Sequence, residues 1–494
     1  LFNKLGGGDM ENIYQRKLFY PFIGLICLLN VLGVILCYFY NNTAMADEME
    51  HLRASWFVSQ GYLPYRDFFE HHHPLLWFGW SPLMKILPQK FDYAWYTARF
   101  AAALFSIGSL TVFFFWVKRF FGGVKTACLA ICFSFMIYVN WYTFSIFKPD
   151  TFARFFYMLG LYEFFAFCQN KKTKDLVWCG VNFTISFLFL QTLIFSILPL
   201  MFPTIWLLYK KQISWKAMVI AAVIPLLMFL AALIFLSLTD SLSAYFQLNW
   251  VFNSYLFKVS QFHNNPVIYF YGIYIFMAAV SSLFLIIKRK TDFNINVVIM
   301  LFWGELFHLL YFSAVWPHYF VYLFIFSAVI WALTFQYITD GVFINTTKLC
   351  LIAGIAINAS MLYVLYVHNN KSIMNIMNIM NIIENSENKT VLNCIDVFYV
   401  WEPLHHYYWF YPNMEVVDSV LHNRYPEFDI NEYLQSNKIE YISMDKNIKC
   451  DAVLEENALP PDNHKNLQNF SIRPEVYDKY EEIYSDFYKR KADF

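Results

Sequence analysis

The sequence predicts a mainly α-helical, polytopic membrane protein. About eleven spans form a bundle, with interfacial helices in the first external loop and a small external C-terminal α/β domain. Three observations predict this. Of 494 residues, 59% are hydrophobic, 21% aromatic and only 15% charged, whereas a soluble domain has about 25% charged residues. Apolar stretches long enough to cross a bilayer recur as far as Val367. Lys and Arg clusters fall between alternate stretches, which orients the bundle. Formal net charge is zero, so nothing points to a nucleic-acid partner.

Leu1–Asp9, with its Gly6-Gly7-Gly8 run, reads as an added leader ahead of Met10, and residues 1–17 as a cytoplasmic N-terminus. The bundle, residues 18–368, opens with Leu18–Tyr40. That stretch is too long for a signal peptide, and no small-residue cleavage motif follows it. Further spans are expected at Tyr93–Val117, Val124–Trp141, Thr151–Cys168, Leu176–Leu190, Leu193–Tyr209, Trp215–Leu238, Val267–Ile287, Val297–Phe312, Tyr319–Gln336 and Leu349–Val367. A break near Gln191-Thr192 avoids an overlong helix with basic clusters on both faces. Arg16/Lys17, Lys118/Arg119/Lys125, Lys171/Lys172/Lys174, Lys210/Lys211 and Lys288/Arg289/Lys290 then share the cytoplasmic side. The chain is accordingly N-inside and C-outside. Loop 41–92, Lys148-Pro149-Asp150, loop 239–266, Pro317-His318 and the C-terminal part lie outside.

In the first external loop, Met45–Gln60 has apolar residues at helical spacing and suits an interfacial helix, ended by Gly61-Tyr62-Leu63-Pro64. Pro74–Leu87 is apolar but short, and reads as a second. Residues 369–388, with their Ile-Met-Asn repeats, read as a low-complexity linker or an extension of the last span. Residues 389–494 read as the soluble external α/β domain. Strands are expected at Val391–Ile395, Glu415–Val417 and Ile439–Met444, and helices at Glu427–Leu434 and Val476–Lys489. Cys394 and Cys450 could pair in an oxidising compartment; two free thiols are the alternative.

Several polar residues interrupt this apolar chain. Asp47 and Glu48 stand just past the first span. A carboxylate near hydrocarbon is costly to keep ionised, so it has a task or a partner. Such a group can act as general base toward an acceptor hydroxyl; otherwise it serves the helix dipole. Asp150 is a second external acid. With Asp47 it could share a divalent metal, or, beside Pro149, simply start a helix. Lys148 suits a phosphate as a point charge. Arg66 suits one as a bidentate donor, or ties the loop together through Asp67 or Glu70. Tyr65, Asp67 and Glu48 are the structural candidates of the loop.

Consecutive residues of His71-His72-His73 on an extended strand point alternately, so at most two converge. His318 could bind phosphate or join Glu70 on a metal. The candidate metal ligands are Asp47, Asp150, Glu70, His73 and His318. Glu305 and His308 share one helix face and line a cavity or satisfy each other. Neither a P-loop nor a dinucleotide fingerprint occurs, which speaks against a cytosolic nucleotide-sugar site.

The string from Asp47 to Pro74 resembles the first-loop signature of the GT-C glycosyltransferases related to protein O-mannosyltransferases and lipid A aminoarabinose transferases. The resemblance is densest over Asp47–Asp150, extends as architecture to the last span, and does not cover the C-terminal domain. It implies inverting transfer from a polyprenyl-phosphate sugar to a lipid, glycan or protein acceptor. The implied setting is the periplasmic face of a bacterial inner membrane. Asp47 matches the family's catalytic aspartate and Asp150 a second acid. His73-Pro74 and Pro317-His318-Tyr319 match further parts of the pattern. Where many relatives carry a Lys between the fifth and sixth spans, this chain reads Leu190-Gln191-Thr192. Phosphate binding would then fall to Arg66, Lys148, Lys258 or His318. Two other readings are a glycolipid transporter or flippase and a scaffold presenting the C-terminal domain. The chain shows no internal repeat of the kind transporters carry.

Overall fold

The computed structural model describes residues 45–135, 140, 143–254, 266–311, 317–339, 378–386, 391–393, 400–401, 441–443, 479–484 and 487–491, and positions 28, 31, 32, 35 and 38 of the first span. Its longer helices are α1 (Met45–Ser59), α2 (Leu75–Met84), α3 (Phe91–Val117), α4 (Gly123–Phe135), α5 (Pro149–Asn170), α6 (Thr173–Phe189), α7 (Met201–Tyr209), α8 (Trp215–Leu238), α9 (Pro266–Ile287), α10 (Phe293–Tyr311) and α11 (Phe320–Thr339). The chain packs as two compact units. One comprises residues 1–41, 99–232 and 257–369, and the other residues 42–98, 233–256 and 370–494.

The first unit holds most of the apolar helices. Five described stretches have the length and hydropathy of a membrane span: Phe91–Phe135, Gln191–Tyr209, Trp215–Leu238, Phe293–Tyr311 and Phe320–Ile338. Phe91–Phe135 is two helices. The π-helical turn Lys118–Gly122 separates α3 from α4, with Gly122 at φ 150° and Gly123 at φ 80°. Glycine takes these values without the Cβ penalty, so the expected basic turn forms here. The expected break after Leu190 is also present. Leu190 is extended, and two 3-10 turns flank the one-turn helix Ile194–Ile197 before α7 begins. α5 lies against α6, where a Cβ on Gly160 would come within 2.7 Å of the Phe183 ring. That close approach is available only to glycine.

α11 is the most interior span: Leu323, Phe324, Phe326, Ala328, Val329 and Ile330 are fully buried. α8 is the opposite, with Val219, Leu226, Leu227, Ile234 and Leu238 all exposed. A helix that is apolar all round and uncovered by protein is one that lipid can cover. The described positions of the expected first span are helical. Leu349–Val367 lies outside the described residues.

In the second unit α1 packs on α2. The sequence suggests an interfacial helix with a wet polar face, but most of α1 is enclosed. Glu48, His51, Leu52, Ala54 and Ser55 are 0% exposed, and Arg53 is buried. Its polar residues face protein groups, so its apolar periodicity is weak.

The C-terminal part contributes a small sheet of strands β1 (Val391–Asn393), β2 (Tyr441–Ser443), β3 (Tyr480–Tyr484) and β4 (Phe487–Arg490), in the order β1-β2-β4-β3. β1 runs parallel to β2, and the other pairings are antiparallel. Of the strands expected at Val391–Ile395 and Ile439–Met444, the described residues Val391–Asn393 and Tyr441–Ser443 are strand. The helix expected at Val476–Lys489 is instead the hairpin β3–β4. Tyr480, Tyr484, Phe487 and Tyr488 favour a pleated surface, and the turn-prone pair Ser485-Asp486 separates the strands. Within the expected linker 369–388, residues 378–384 are helical, with Met380 and Ile383 buried. The Glu384 carboxylate accepts the backbone N–H of Phe91, at the start of α3. Glu415–Val417, Glu427–Leu434, Cys394 and Cys450 lie outside the described residues.

Candidate functional site

The polar island of the sequence folds into the interior of the second unit. Asp47 stands in the first turn of α1 and is half-buried, placed where a carboxylate favours the helix dipole. Its neighbour Glu48 is fully enclosed, and its Oε2 accepts the Trp95 indole N–H at 3.1 Å. The two adjacent acids are thus differently placed: Glu48 is anchored in the core, while Asp47 keeps some exposure.

The chain leaves α1 through a tight turn held by its own side chains. Tyr65 has φ 70°, a left-handed conformation that costs a non-glycine residue energy. Its N–H bonds to Phe68 O at 2.9 Å, and its buried hydroxyl donates to His72 O at 2.6 Å. Asp67 Oδ2 accepts the Leu63 N–H at 2.7 Å, and the Arg66 guanidinium grips both Asp67 oxygens at 2.8 and 2.9 Å. Arg66 is therefore committed to Asp67.

Burial pushes the Asp67 carboxyl up, but the Arg66 hydrogen bond, the Leu63 N–H and the Arg66 charge outweigh it. Asp67 titrates below its ordinary value. The stabilisation this gives is complete above the ordinary carboxylate range and is lost as pH falls through the depressed pKa. Asp67→Asn is expected to lower Tm at neutral pH. The gap to wild type should close only below the ordinary carboxylate range, which melts across a pH series will check.

From Glu70 the segment runs extended, and the side chains part in alternation. His71 and His73 go to the helical segment after α8. His71 Nδ1 lies 2.7 Å from Asn253 Oδ1, and His73 Nε2 lies 2.9 Å from the Tyr245 hydroxyl. Glu70 and His72 turn the other way and meet Glu50 and His51 of α1. His72 Nδ1 is 2.8 Å from Glu70 Oε1 and 3.4 Å from Glu50 Oε1. One potential ligand atom from each of Glu50, His51, Glu70 and His72 lies within 4.8 Å of the others. Trp77, fully buried on α2, donates its indole N–H to His51 Nδ1 at 3.2 Å. Burial pushes the His72 ring down, yet the nearby Glu50 and Glu70 carboxylates prevail and hold it well above its ordinary value. Burial and the Glu70 charge push Glu50 up, against the opposing pull of His72.

This is the one group of its kind among the described residues. Of the five expected metal ligands it contains Glu70. His73 is taken by Tyr245, and Asp47, Asp150 and His318 are not members. Glu50, His51 and His72 were missed by the sequence reading. The signal was available: Glu70 and His72 are two apart on an extended segment, and Glu50 and His51 follow Asp47 by a helical turn.

The first unit holds the remaining candidates. Lys148 is the buried N-cap residue of α5, and Asp150 lies in its first turn, with Oδ1 buried and without a hydrogen-bond partner. The Tyr322 hydroxyl donates to the Asp150 carbonyl at 3.5 Å. His318, half-buried in the 3-10 turn Pro317–Tyr319, lies one turn before Tyr322. Arg154 is not a phosphate candidate in the sequence reading. It bonds Ser106 Oγ at 2.9 Å and Thr143 Oγ1 at 3.3 Å, on the wall of a small cavity of about 40 Å³. Glu305 is buried, with His308 Nδ1 at 3.5 Å on the same helix face. Lys258 lies outside the described residues.

Two comparisons bear on this apolar helical chain and its carboxylate-bearing, buried loop. Residues 83–239 match the family described as Dolichyl-phosphate-mannose-protein mannosyltransferase. The fold is shared with the crystal structure of ArnT from Cupriavidus metallidurans bound to undecaprenyl phosphate. The TM-score is 0.58 and the identity 11%, with 86% of this chain and 93% of that one covered. Comparison with curated protein sequences gives no match. The family match includes Lys148 and Asp150 and begins after the Asp47–Pro74 string.

Proposed function

We propose that this protein transfers a sugar from a polyprenyl-phosphate donor to a lipid, glycan or protein acceptor at the external face of a bacterial inner membrane. Asp47 is the general base. The observation that carries this reading is the place of Asp47 in the first turn of α1, where it is half-buried, beside Glu48, which is fully enclosed and accepts the Trp95 indole N–H. The family match and the lipid phosphate bound by ArnT support the donor class.

The chemistry requires little of the protein. The acceptor oxygen attacks the anomeric carbon and its proton passes to Asp47. The bond from carbon to the phosphate oxygen breaks, and polyprenyl phosphate leaves with the electron pair. Attack opposite the leaving group inverts the anomeric centre. Lys148 and His318 are the groups we assign to phosphate recognition, with Asp150 assisting catalysis. A divalent metal is a further candidate cofactor of this reaction.

The test is transfer of radiolabelled sugar by purified protein from a panel of polyprenyl-phosphate donors, with a membrane extract as acceptor. One donor should turn over, with release of polyprenyl phosphate. Absence of turnover with every donor and extract would overturn the reading.

A further inference from the structure

We infer that Glu50, His51, Glu70 and His72 form a binding site for a transition-metal cation of the Zn²⁺ class, which pins α1 to the extended segment after Glu70. Two imidazole nitrogens and two carboxylate oxygens suit such an ion, whereas Mg²⁺ and Ca²⁺ prefer oxygen donors alone. The donors converge from two separate pieces of chain, with one potential ligand atom from each residue within 4.8 Å of the others. Metal–ligand bonds of about 2.0–2.2 Å therefore require only small side-chain movements.

Three further observations favour a cation over a self-sufficient polar cluster. Glu70 is 0% exposed, and its Oε2 has no hydrogen-bond partner. Glu50 is 8% exposed, and its Oε1 makes no hydrogen bond although His72 Nδ1 is 3.4 Å away. Two carboxylates buried together are costly unless opposite charge sits among them. A divalent ion with two neutral imidazoles balances them. His51 is the adjustable ligand: the Trp77 N–H at its Nδ1 is given up if that nitrogen turns to the metal.

The site is distinct from the Asp47–Asp150 metal considered from the sequence. Asp47 precedes Glu50 and His51 by three and four residues, on the same helix face. The bound ion would therefore position Asp47 without touching substrate. That role rests on the proposed transferase reading, but the metal site does not.

The experiment is metal analysis of the full-length detergent-purified protein after chelation and reloading with Zn²⁺ or Co²⁺. Wild type should retain about one equivalent, and the Co²⁺ form should show the visible absorption of a four-coordinate ion with nitrogen and oxygen donors. Glu70→Gln and His72→Gln should each weaken binding by more than the roughly 10–100-fold expected for loss of an outer-shell partner. His73→Gln, which alters the neighbouring histidine bonded to Tyr245, should retain the metal. No stoichiometric metal in wild type, or equal loss in His73→Gln, would overturn the site. Metal retained by a protein that turns over no donor would leave the site standing and remove only the transferase reading.

Discussion

Asp47→Asn is expected to reduce sugar transfer by about 10²–10⁴-fold, the range that a positioned general base contributes. The substitution is nearly isosteric and removes only the basic carboxylate. Since Asp47 is half-buried in the first turn of α1 and Glu48 carries the contact to Trp95, the fold should be nearly unaffected. The loss should therefore lie in turnover, with donor affinity little changed. Asn is also a sound helix-start residue, which removes a trivial structural cause for the loss. Single-turnover assays beside thermal melts will separate the outcomes. Full activity in the variant would exclude Asp47 as the base. A large drop in Tm would mean that the carboxylate holds the loop together.

The second large effect is on stability. Trp77→Ala is expected to cost about 3–5 kcal/mol, the range for emptying a large buried aromatic site. Trp77 is 0% exposed, lies tilted against the Tyr65 ring with centroids 6.4 Å apart, and donates to His51. It therefore supports both the strained turn and the metal-ligating cluster. Trp77→Phe retains most of the packing and loses mainly the indole hydrogen bond, for a cost of about 1 kcal/mol. Melts of both variants in one detergent measure the two contributions. If Ala costs no more than Phe, α2 is not the buttress described above.

The five described stretches long and apolar enough to cross a membrane were legible because hydropathy alone defines them. α8 begins and ends at the residues expected, and the break after Leu190 stands where helix length required it. The C-terminal hairpin was not legible. Over Tyr480–Arg490 the aromatic residues satisfy helical spacing as well as strand alternation, and pairing with β2 settles the choice. In the candidate site, alternation over the three histidines alone does not say which of them meets Glu70. Beginning one residue earlier at Glu70 it selects His72, while His71 and His73 fall to the other side. Glu50 and His51 stand in a stretch whose pattern suits an interfacial helix, on which charged residues ordinarily face water. Its enclosure follows from long-range packing that no local pattern reports.

That enclosure reverses the usual distribution of sequence freedom. α1 looks like an extramembrane loop and holds the most polar string of the chain, yet its surroundings leave little room for a change of size or charge. α8 looks like an indispensable greasy core, yet many of its side chains are exposed, and one apolar residue can replace another at those positions. Drift over time should therefore be slow in the segment that resembles a surface and fast in the segment that resembles an interior.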